Sequence, residues 1–177
     1  MAGACAGNPS VSTTSTPVVA VAPVAPPLAW RTDRVGGSSP FYEVIDTSGA
    51  GHALTLRHMI GGGTMNGEFG TATTSAPADT MVGQRVTVRA ELRTRNSDGA
   101  TLWIRAEGKG KTLRLENNMA HPIFAQDWMV QTAVLDLPDG TERISYGLLL
   151  QGAGEVSIRG LTISHAPPTG APVTGLP

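Results

Sequence analysis

The sequence has 177 residues and a formal net charge of −1, with 15% charged residues and a single cysteine, Cys5. This length allows one domain with a buried core, while the near-neutral charge offers no electrostatic footprint for nucleic acid or anionic lipid. One cysteine excludes an internal disulfide framework and a cysteine-based zinc site, and no apolar run approaches the roughly 18 residues of a membrane span.

Both ends of the sequence have the composition of a linker. Residues 1–27 contain no charged residue and are rich in Ser, Thr, Pro, Ala and Val, and residues 166–177 have the same character. Repeated prolines remove backbone hydrogen-bond donors and favour extended conformations. We therefore expect disordered arms at both ends and one domain over residues 28–165.

The stretch "AGACAG" places Cys5 among small residues before a flexible linker, as at the end of a bacterial lipoprotein signal. In such a signal the cysteine carries the lipid, but the usual leucine three residues earlier is Ala2 here and no basic or apolar region precedes it. If the sequence begins inside a truncated signal, we expect a lipid anchor at Cys5 and a place in the cell envelope, either the periplasm or the outer surface. An incidental thiol is the alternative.

From Phe41 onward, apolar and polar residues alternate in segments bounded by Gly, Pro, Asn or Asp, which is typical of β-strands. Turns are predicted at Gly108-Lys109-Gly110, Pro138-Asp139-Gly140 and Gly152-Ala153-Gly154, and Gly160 interrupts its strand as a β-bulge would. Only residues 76–82 suggest a short helix. The predicted strands are 41–46, 52–60, 68–74, 84–94, 100–107, 111–117, 129–137, 142–151 and 155–164.

Short strands joined by short turns predict an all-β fold. Because almost no helical periodicity accompanies them, we expect an antiparallel β-sandwich, a jelly roll or a fold close to it.

Several motifs occur in a characteristic order. They are "FYEVID", "FGT", "GQRVTVRAELRT", "LWIRAEG", "NNMAHPI", "DW" and "VLDLPDGTERISYGLLLQGAGEV". In this order they resemble a bacterial β-sandwich domain that is appended to some arabinose-regulator-type transcription factors and some carboxyl-terminal-processing-type peptidases. The resemblance covers residues 28–164 and implies a galactose-binding-like or carbohydrate-binding-module-like sandwich with no general catalytic role.

The sequence departs from that family at three motifs. The family's Asp-Asn-Met is Asn117-Asn118-Met119 here, its Arg-Pro-Ile is His121-Pro122-Ile123, and Ser157 stands where the family has a late tryptophan. Since a carboxylate and an arginine are lost, the ligand preference of the family does not transfer directly.

Trp103 and Arg105 are the central candidates for a binding site. Alternation predicts that Leu102, Ile104 and Ala106 face the core, so Trp103 and Arg105 lie on the outer face with Thr101 and Glu107. Sugar-binding sandwiches use such a face, because an aromatic ring stacks on a pyranose while polar groups take its hydroxyls. We expect the next strand and its loop to add Arg114, Glu116, Asn117, Asn118, His121, Asp127 and Trp128 to this face or its rim.

A purely structural role is the alternative for the same residues. The loop 117–126 could cover Trp103 and form a small apolar cluster with Met119, Ile123 and Phe124. Arg105 would then pair with a carboxylate of Glu107, Glu116 or Asp127, and Trp128 would be a packing anchor.

Metal binding and catalysis have little support in the sequence. The four histidines lack the short spacings of a metal site, so we predict no resident cofactor, although a structural calcium is possible. No nucleophile elbow is present, and Glu107 with Glu116 is the nearest approach to a glycosidase pair. We expect no enzyme activity. Candidate calcium ligands are Glu43, Asp46, Asn66, Glu68 and Asp136.

Two functions remain in competition. The first is a non-catalytic module that binds a saccharide or another cell-envelope polymer. The second is a structural or protein-interaction domain within an envelope or larger assembly, in which an edge strand or the outer face meets a partner protein. The two differ in whether Trp103 lines a polar-edged groove or the face is a flat apolar patch.

Overall fold

A computed structural model describes residues 30–32, 41–45, 54–59 and 68–168 of the chain. Within these ranges the secondary structure consists of strands joined by turns, without a helix. The strands are β1 (Arg31–Thr32), β2 (Tyr42–Ile45), β3 (Leu54–His58), β4 (Phe69–Pro77), β5 (Arg85–Arg95), β6 (Ala100–Gly108), β7 (Lys111–Glu116), β8 (Met129–Asp136), β9 (Arg143–Gln151) and β10 (Glu155–Ala166).

The strands form two five-stranded sheets, in the orders β1-β4-β9-β6-β7 and β2-β3-β10-β5-β8, which we call the first and the second sheet. Every strand pair is antiparallel. The prediction of an all-β antiparallel sandwich is therefore confirmed.

The core lies between the sheets and is built from the alternating apolar residues of both. On β5, Val86, Val88, Ala90 and Leu92 are fully buried, as their alternation with polar residues predicts. Their counterparts in the first sheet include the inward residues of β6 and β9. These are Leu102, Ile104, Ala106, Ile144, Tyr146, Leu148 and Leu150.

Left-handed backbone positions explain two of the predicted features. Lys109 and Gly110, with φ of 51° and 72°, make the two-residue turn between β6 and β7, as hairpins of this length require. Gly160, with φ of 60°, lies within the register shift between Arg159 and Thr162. The predicted hairpin and bulge are both confirmed.

The predicted helix over residues 76–82 is wrong. Strand β4 continues to Pro77 because Ala76 pairs with Ile144 of β9, and the Ala78 amide then donates to the Glu142 carbonyl at 3.0 Å. A turn follows, in which the Met81 amide donates to the Ala78 carbonyl. The apolar residues of this segment reach the core from the turn, without helical periodicity.

Several predictions concern residues outside the described ranges. These are nearly all of the two arms, Cys5, and the possible calcium ligands Asp46 and Asn66. Among the residues that are described, none belongs to a helix long and apolar enough to cross a bilayer.

Candidate ligand-binding groove

The outer face of the first sheet carries the candidate site. The register of its strands arranges the outward residues in rows that run across the sheet from β1 or β4 toward β7. In order, the rows are Thr71, Leu149 and Thr101; Arg31, Thr73, Gly147 and Trp103; Ser75, Ser145, Arg105 and Leu115; and Pro77, Arg143, Glu107 and Thr112.

Trp103 lies on this face, as predicted, but its side chain is largely buried. Gly147 stands opposite it on β9 and presents no side chain there. The indole Nε1 of Trp103 donates to the Leu148 carbonyl at 3.1 Å, and only 6% of the residue is exposed. The ring therefore forms part of the floor of the face, where an open stacking platform was expected.

Arg105 and its neighbours form a charged cluster beside the indole. The Arg105 guanidinium carbon lies 5.5 Å from the Trp103 ring centroid, and the same group is ion-paired with Glu107. Arg143 Nε donates to Glu107 Oε2 at 2.8 Å, and Ser145 Oγ reaches the same oxygen at 3.0 Å. Glu107 thus binds two arginines at once.

These contacts decide the ionisation of Glu107. Burial by itself would raise the pKa of this carboxyl group, but the hydrogen bond from Arg143, the charge of Arg105 and the hydrogen bond from Ser145 outweigh it and hold the pKa below its ordinary value. Glu107 is therefore a carboxylate at neutral pH and is unsuited to act as a general acid.

Two adjoining depressions open on the face, and both include Arg105. The apolar groove, about 240 Å³ in volume, is lined mainly by carbon atoms of the sheet and of the loop after β7. The charged groove, about 690 Å³, lies beside it toward the β6–β7 turn. The apolar groove is lined by Phe69, Thr71, Thr73, Trp103, Arg105, Leu115, Asn117, Met119 and Leu149.

Two residues that line the apolar groove each contain a polar side-chain atom with no hydrogen-bond partner among the described residues. The atoms are Thr73 Oγ1 and Arg105 Nε, both buried. Thr73 is only 1% exposed and the Arg105 side chain 12%. Leaving a buried polar group unpaired costs about 1–3 kcal/mol.

The expectation that Arg114 and Glu116 share the face of Trp103 is wrong. The register of β6 and β7 shifts between Ala106 and Glu107, so that Ala106 pairs with Arg114 and Ile104 with Glu116. Because successive side chains alternate between faces, a shift by one residue turns the rest of the strand over. Leu115, which is 50% exposed, takes the outward position beside Arg105.

Asn118 and His121 lie in the loop after β7 and are not among the residues that line the groove. The side-chain amide of Asn118 donates to the Thr132 carbonyl of the edge strand β8. The backbone carbonyl of His121 accepts a hydrogen bond from Gln131 Nε2 at 3.0 Å. The neighbouring Asn117 lines the groove instead.

Trp128 belongs to the opposite side of the sandwich. Its ring contacts the guanidinium groups of Arg93 and Arg159, whose carbons are 4.7 Å and 4.3 Å from the ring centroid. Both arginines project from the outer face of the second sheet. The expectation that Trp128 stands at the rim beside Trp103 is therefore wrong, and the adjacent Asp127 is exposed.

The covering loop that was the alternative is present only in part. Met119 lines the groove beside Trp103, and Arg105 does pair with Glu107. Ile123, however, bridges to Ala100 and joins the main core, and Phe124 is 62% exposed. The loop borders the groove and leaves it open.

The described residues give no support to a metal site or a glycosidase pair. No group of three or more His, Cys, Asp or Glu side chains among them is placed to hold a metal ion. Glu43 pairs with Arg57 at 2.6 Å and Asp136 with Arg85 at 2.7 Å. The pairing of Glu116 with Ile104 places it on the opposite face from Glu107. The calcium site stays a prediction.

Arg31, Thr73, Arg143, Ser145 and Leu149 belong to the site and were not predicted. Alternation along β9 does place Arg143, Ser145 and Leu149 on one face. That β9 lies between β4 and β6 is a matter of sheet order, which alternation does not reveal.

No protein-family model matches the chain. In sequence it is similar to an uncharacterized HTH-type transcriptional regulator, YbfP, from Bacillus subtilis (strain 168), with 31% identity over 93 residues. The match covers 51% of this chain and 32% of the regulator, so the chain spans about a third of that relative.

In structure the chain is similar to carbohydrate-binding modules. It matches the CBM22-1 xylan-binding domain of Paenibacillus barcinonensis Xyn10C with a TM-score of 0.51 and 13% identity, over 78% of this chain and 86% of that one. It matches the CBM22-1-GH10 modules of Clostridium thermocellum Xyn10B, complexed with xylohexaose, with a TM-score of 0.54 and 9% identity, over 80% and 27%. The predicted likeness to a carbohydrate-binding-module sandwich is confirmed at the level of the fold, and the association with regulators or peptidases stays a prediction.

Proposed function

We propose that the chain is a non-catalytic module that binds a saccharide or another cell-envelope polymer in the apolar groove of the first sheet. The observation that carries this proposal is a mainly apolar groove whose lining includes Thr73 and Arg105, two residues that each contain an unpartnered polar side-chain atom. Saccharides need this combination, since their rings have apolar faces and their edges carry hydroxyl groups.

Different residues of the groove would provide the apolar contacts and the hydrogen bonds. Trp103 and Leu149, 6% and 7% exposed, form a floor, while Leu115 and Met119, 50% and 43% exposed, offer apolar surface at the side. A sugar ring that enters the groove would cover these carbon atoms, and a rotation of the Thr73 side chain toward the groove would let its hydroxyl pair with a sugar hydroxyl. The fold shared with a domain named as xylan-binding supports the same class of ligand.

A matched pair of methionines tests the proposal. The full chain is tested for retention on a panel of insoluble polysaccharides and peptidoglycan, with calcium supplied, beside Met119→Ala and Met129→Ala. Met119 lines the groove, whereas Met129, 49% exposed, lies on β8 of the second sheet. We expect Met119→Ala to weaken retention about three- to tenfold and Met129→Ala to leave it unchanged.

Failure of the proposal would be equally clear. Retention of the wild type by none of the polymers would contradict it. Equal loss in Met119→Ala and Met129→Ala, with both variants folded by circular dichroism, would move any binding away from the groove.

A protein-interaction surface on the second sheet is the second candidate. Val130 and Val134 lie on the same face of edge strand β8 and are 51% and 40% exposed. Because Asn118 already donates to the Thr132 carbonyl of this strand, a partner would meet the face and not extend the sheet. A photoreactive residue at position 130, but not at 115, should then crosslink to a defined partner in cells. Crosslinks from position 115 alone would contradict this candidate.

A further inference from the structure

The charged groove has an excess of positive charge although the whole chain is close to neutral. Its ionisable lining residues are cationic at Arg31, Arg105, Lys111 and Arg143 and anionic at Glu107 and Glu142, whereas the chain carries a net charge of −1. One cationic side chain from each of β1, β6, β7 and β9 thus lines the same groove.

Both carboxylates of this groove already have hydrogen-bond partners in the protein, and the lining keeps an excess of two positive charges after both are counted. Both oxygens of Glu107 are engaged, one by Arg105 and the other by Arg143 and Ser145. Glu142 Oε2 accepts from the Lys109 amide at 3.2 Å and so supports the β6–β7 turn.

The arginine that joins the two grooves is also incompletely paired. The Nε of Arg105 is buried and has no partner among the described residues, although the other end of its guanidinium binds Glu107. Arg143 is anchored on Glu107 while 56% of its side chain stays exposed. Arginine groups held by a carboxylate on one side present their remaining N–H groups in a fixed direction, which suits a planar or tetrahedral anion.

We infer that the ligand is an acidic saccharide, whose ring lies in the apolar groove and whose anionic substituent lies in the charged groove beside Arg105 and Arg143. This inference rests on the proposed function, because it specifies the substrate class of the same site. A sugar carboxylate and a sulfate ester share the chemistry that the arginines would recognise, and the test below distinguishes them.

The test compares acidic polymers with their own neutral forms. Binding of the full chain is measured by affinity electrophoresis for a glucuronate-bearing xylan and the same xylan with its carboxylates reduced, and for a sulfated galactan and its desulfated form. We expect the acidic member of one pair to bind about tenfold more tightly, with a preference that weakens as salt is raised. The pair that shows the preference identifies the anion.

Surface variants assign the preference to the groove. Arg31→Gln with Lys111→Gln removes two exposed cations of the lining without touching the Arg105–Glu107–Arg143 cluster. Each exposed cation contributes modestly, so we expect the preference for the acidic form to fall about two- to threefold, with the remainder carried by Arg105 and Arg143. Arg89→Gln with Arg95→Gln makes the same change of charge on the outer face of the second sheet and should leave the preference intact.

The outcomes separate the two proposals. Equal binding of acidic and neutral forms would overturn the inference and leave the saccharide groove standing. A preference that is undiminished in Arg31→Gln with Lys111→Gln, or that falls equally in the control, would also overturn it. Retention by none of the polymers would overturn both.

Discussion

Replacing Trp103 should destabilise the protein, because its ring is packed into the outer surface of the first sheet. With 6% of the residue exposed, truncation to alanine removes most of a side chain that buries about 150–250 Å², or roughly 4–6 kcal/mol of transfer free energy. Measured truncations of this kind cost about 3–5 kcal/mol. We therefore expect Trp103→Ala to lower the free energy of unfolding by about 4 kcal/mol, or Tm by about 8–16 °C.

A conservative change separates packing from hydrogen bonding at the same position. Trp103→Phe keeps an aromatic ring but removes the bond from Nε1 to the Leu148 carbonyl, which is worth about 1 kcal/mol. Phe124→Ala is the control, since Phe124 is 62% exposed and such sites change stability by about 0.5 kcal/mol or less. The assay is urea unfolding of the full chain followed by far-ultraviolet circular dichroism.

One result would refute this reasoning. If Trp103→Ala costs no more than Phe124→Ala, the indole is not part of a packed floor. A cost near 4 kcal/mol would also mean that Trp103→Ala confounds binding with folding, which is why the binding test uses Met119.

Three further predictions follow from single contacts. Since the pKa of Glu107 is lowered by its arginines, its stabilising contribution should be present above the ordinary value of 4.5 and be lost as the pH falls through the lower pKa of the folded state. The Glu107→Gln protein should therefore be less stable than the wild type at pH 7, and its free energy of unfolding should depend less on pH below 4.5. Identical pH dependence of the two proteins would contradict this. Asn118→Ala frees the Thr132 carbonyl on edge strand β8, so we expect self-association by analytical ultracentrifugation at high concentration, and a monomer throughout would argue against an edge-protecting role. A Cβ at Gly108 would lie 2.1 Å from a carbonyl oxygen of the 138–140 turn, so Gly108→Ala should lower the free energy of unfolding by about 1–3 kcal/mol, whereas Gly110→Asn, in open space and tolerant of positive φ, should cost less.

The alternation of residues predicted which way most strands face, because it is a local property of each strand. Leu102 and Ile104 pack in the core as expected, and Trp103 and Arg105 project outward. The turn residues were equally informative, since Lys109 and Gly110 adopt the left-handed backbone that a two-residue hairpin needs.

The site itself depended on facts that are not local. An unshifted hairpin through Lys109 and Gly110 would place Arg114 opposite Arg105, as the sequence suggested, and the extra residue of the bulge on β7 reverses this. Sheet order, which pairs β6 with β9 and not only with β7, brings Arg143 to the site. Trp128 follows Trp103 by only 25 positions but packs on the other sheet.

Indole signals in a two-dimensional 15N–1H NMR spectrum test the central claim most directly. The chain has three tryptophans, and the Trp103 signal is assigned by its absence in Trp103→Phe. When an oligosaccharide of the retained polymer is added, we predict that the Nε1–H signal of Trp103 shifts with the occupancy of the groove while that of Trp128 stays in place. A shift of Trp128 alone would contradict the assignment of the groove on the first sheet as the binding site.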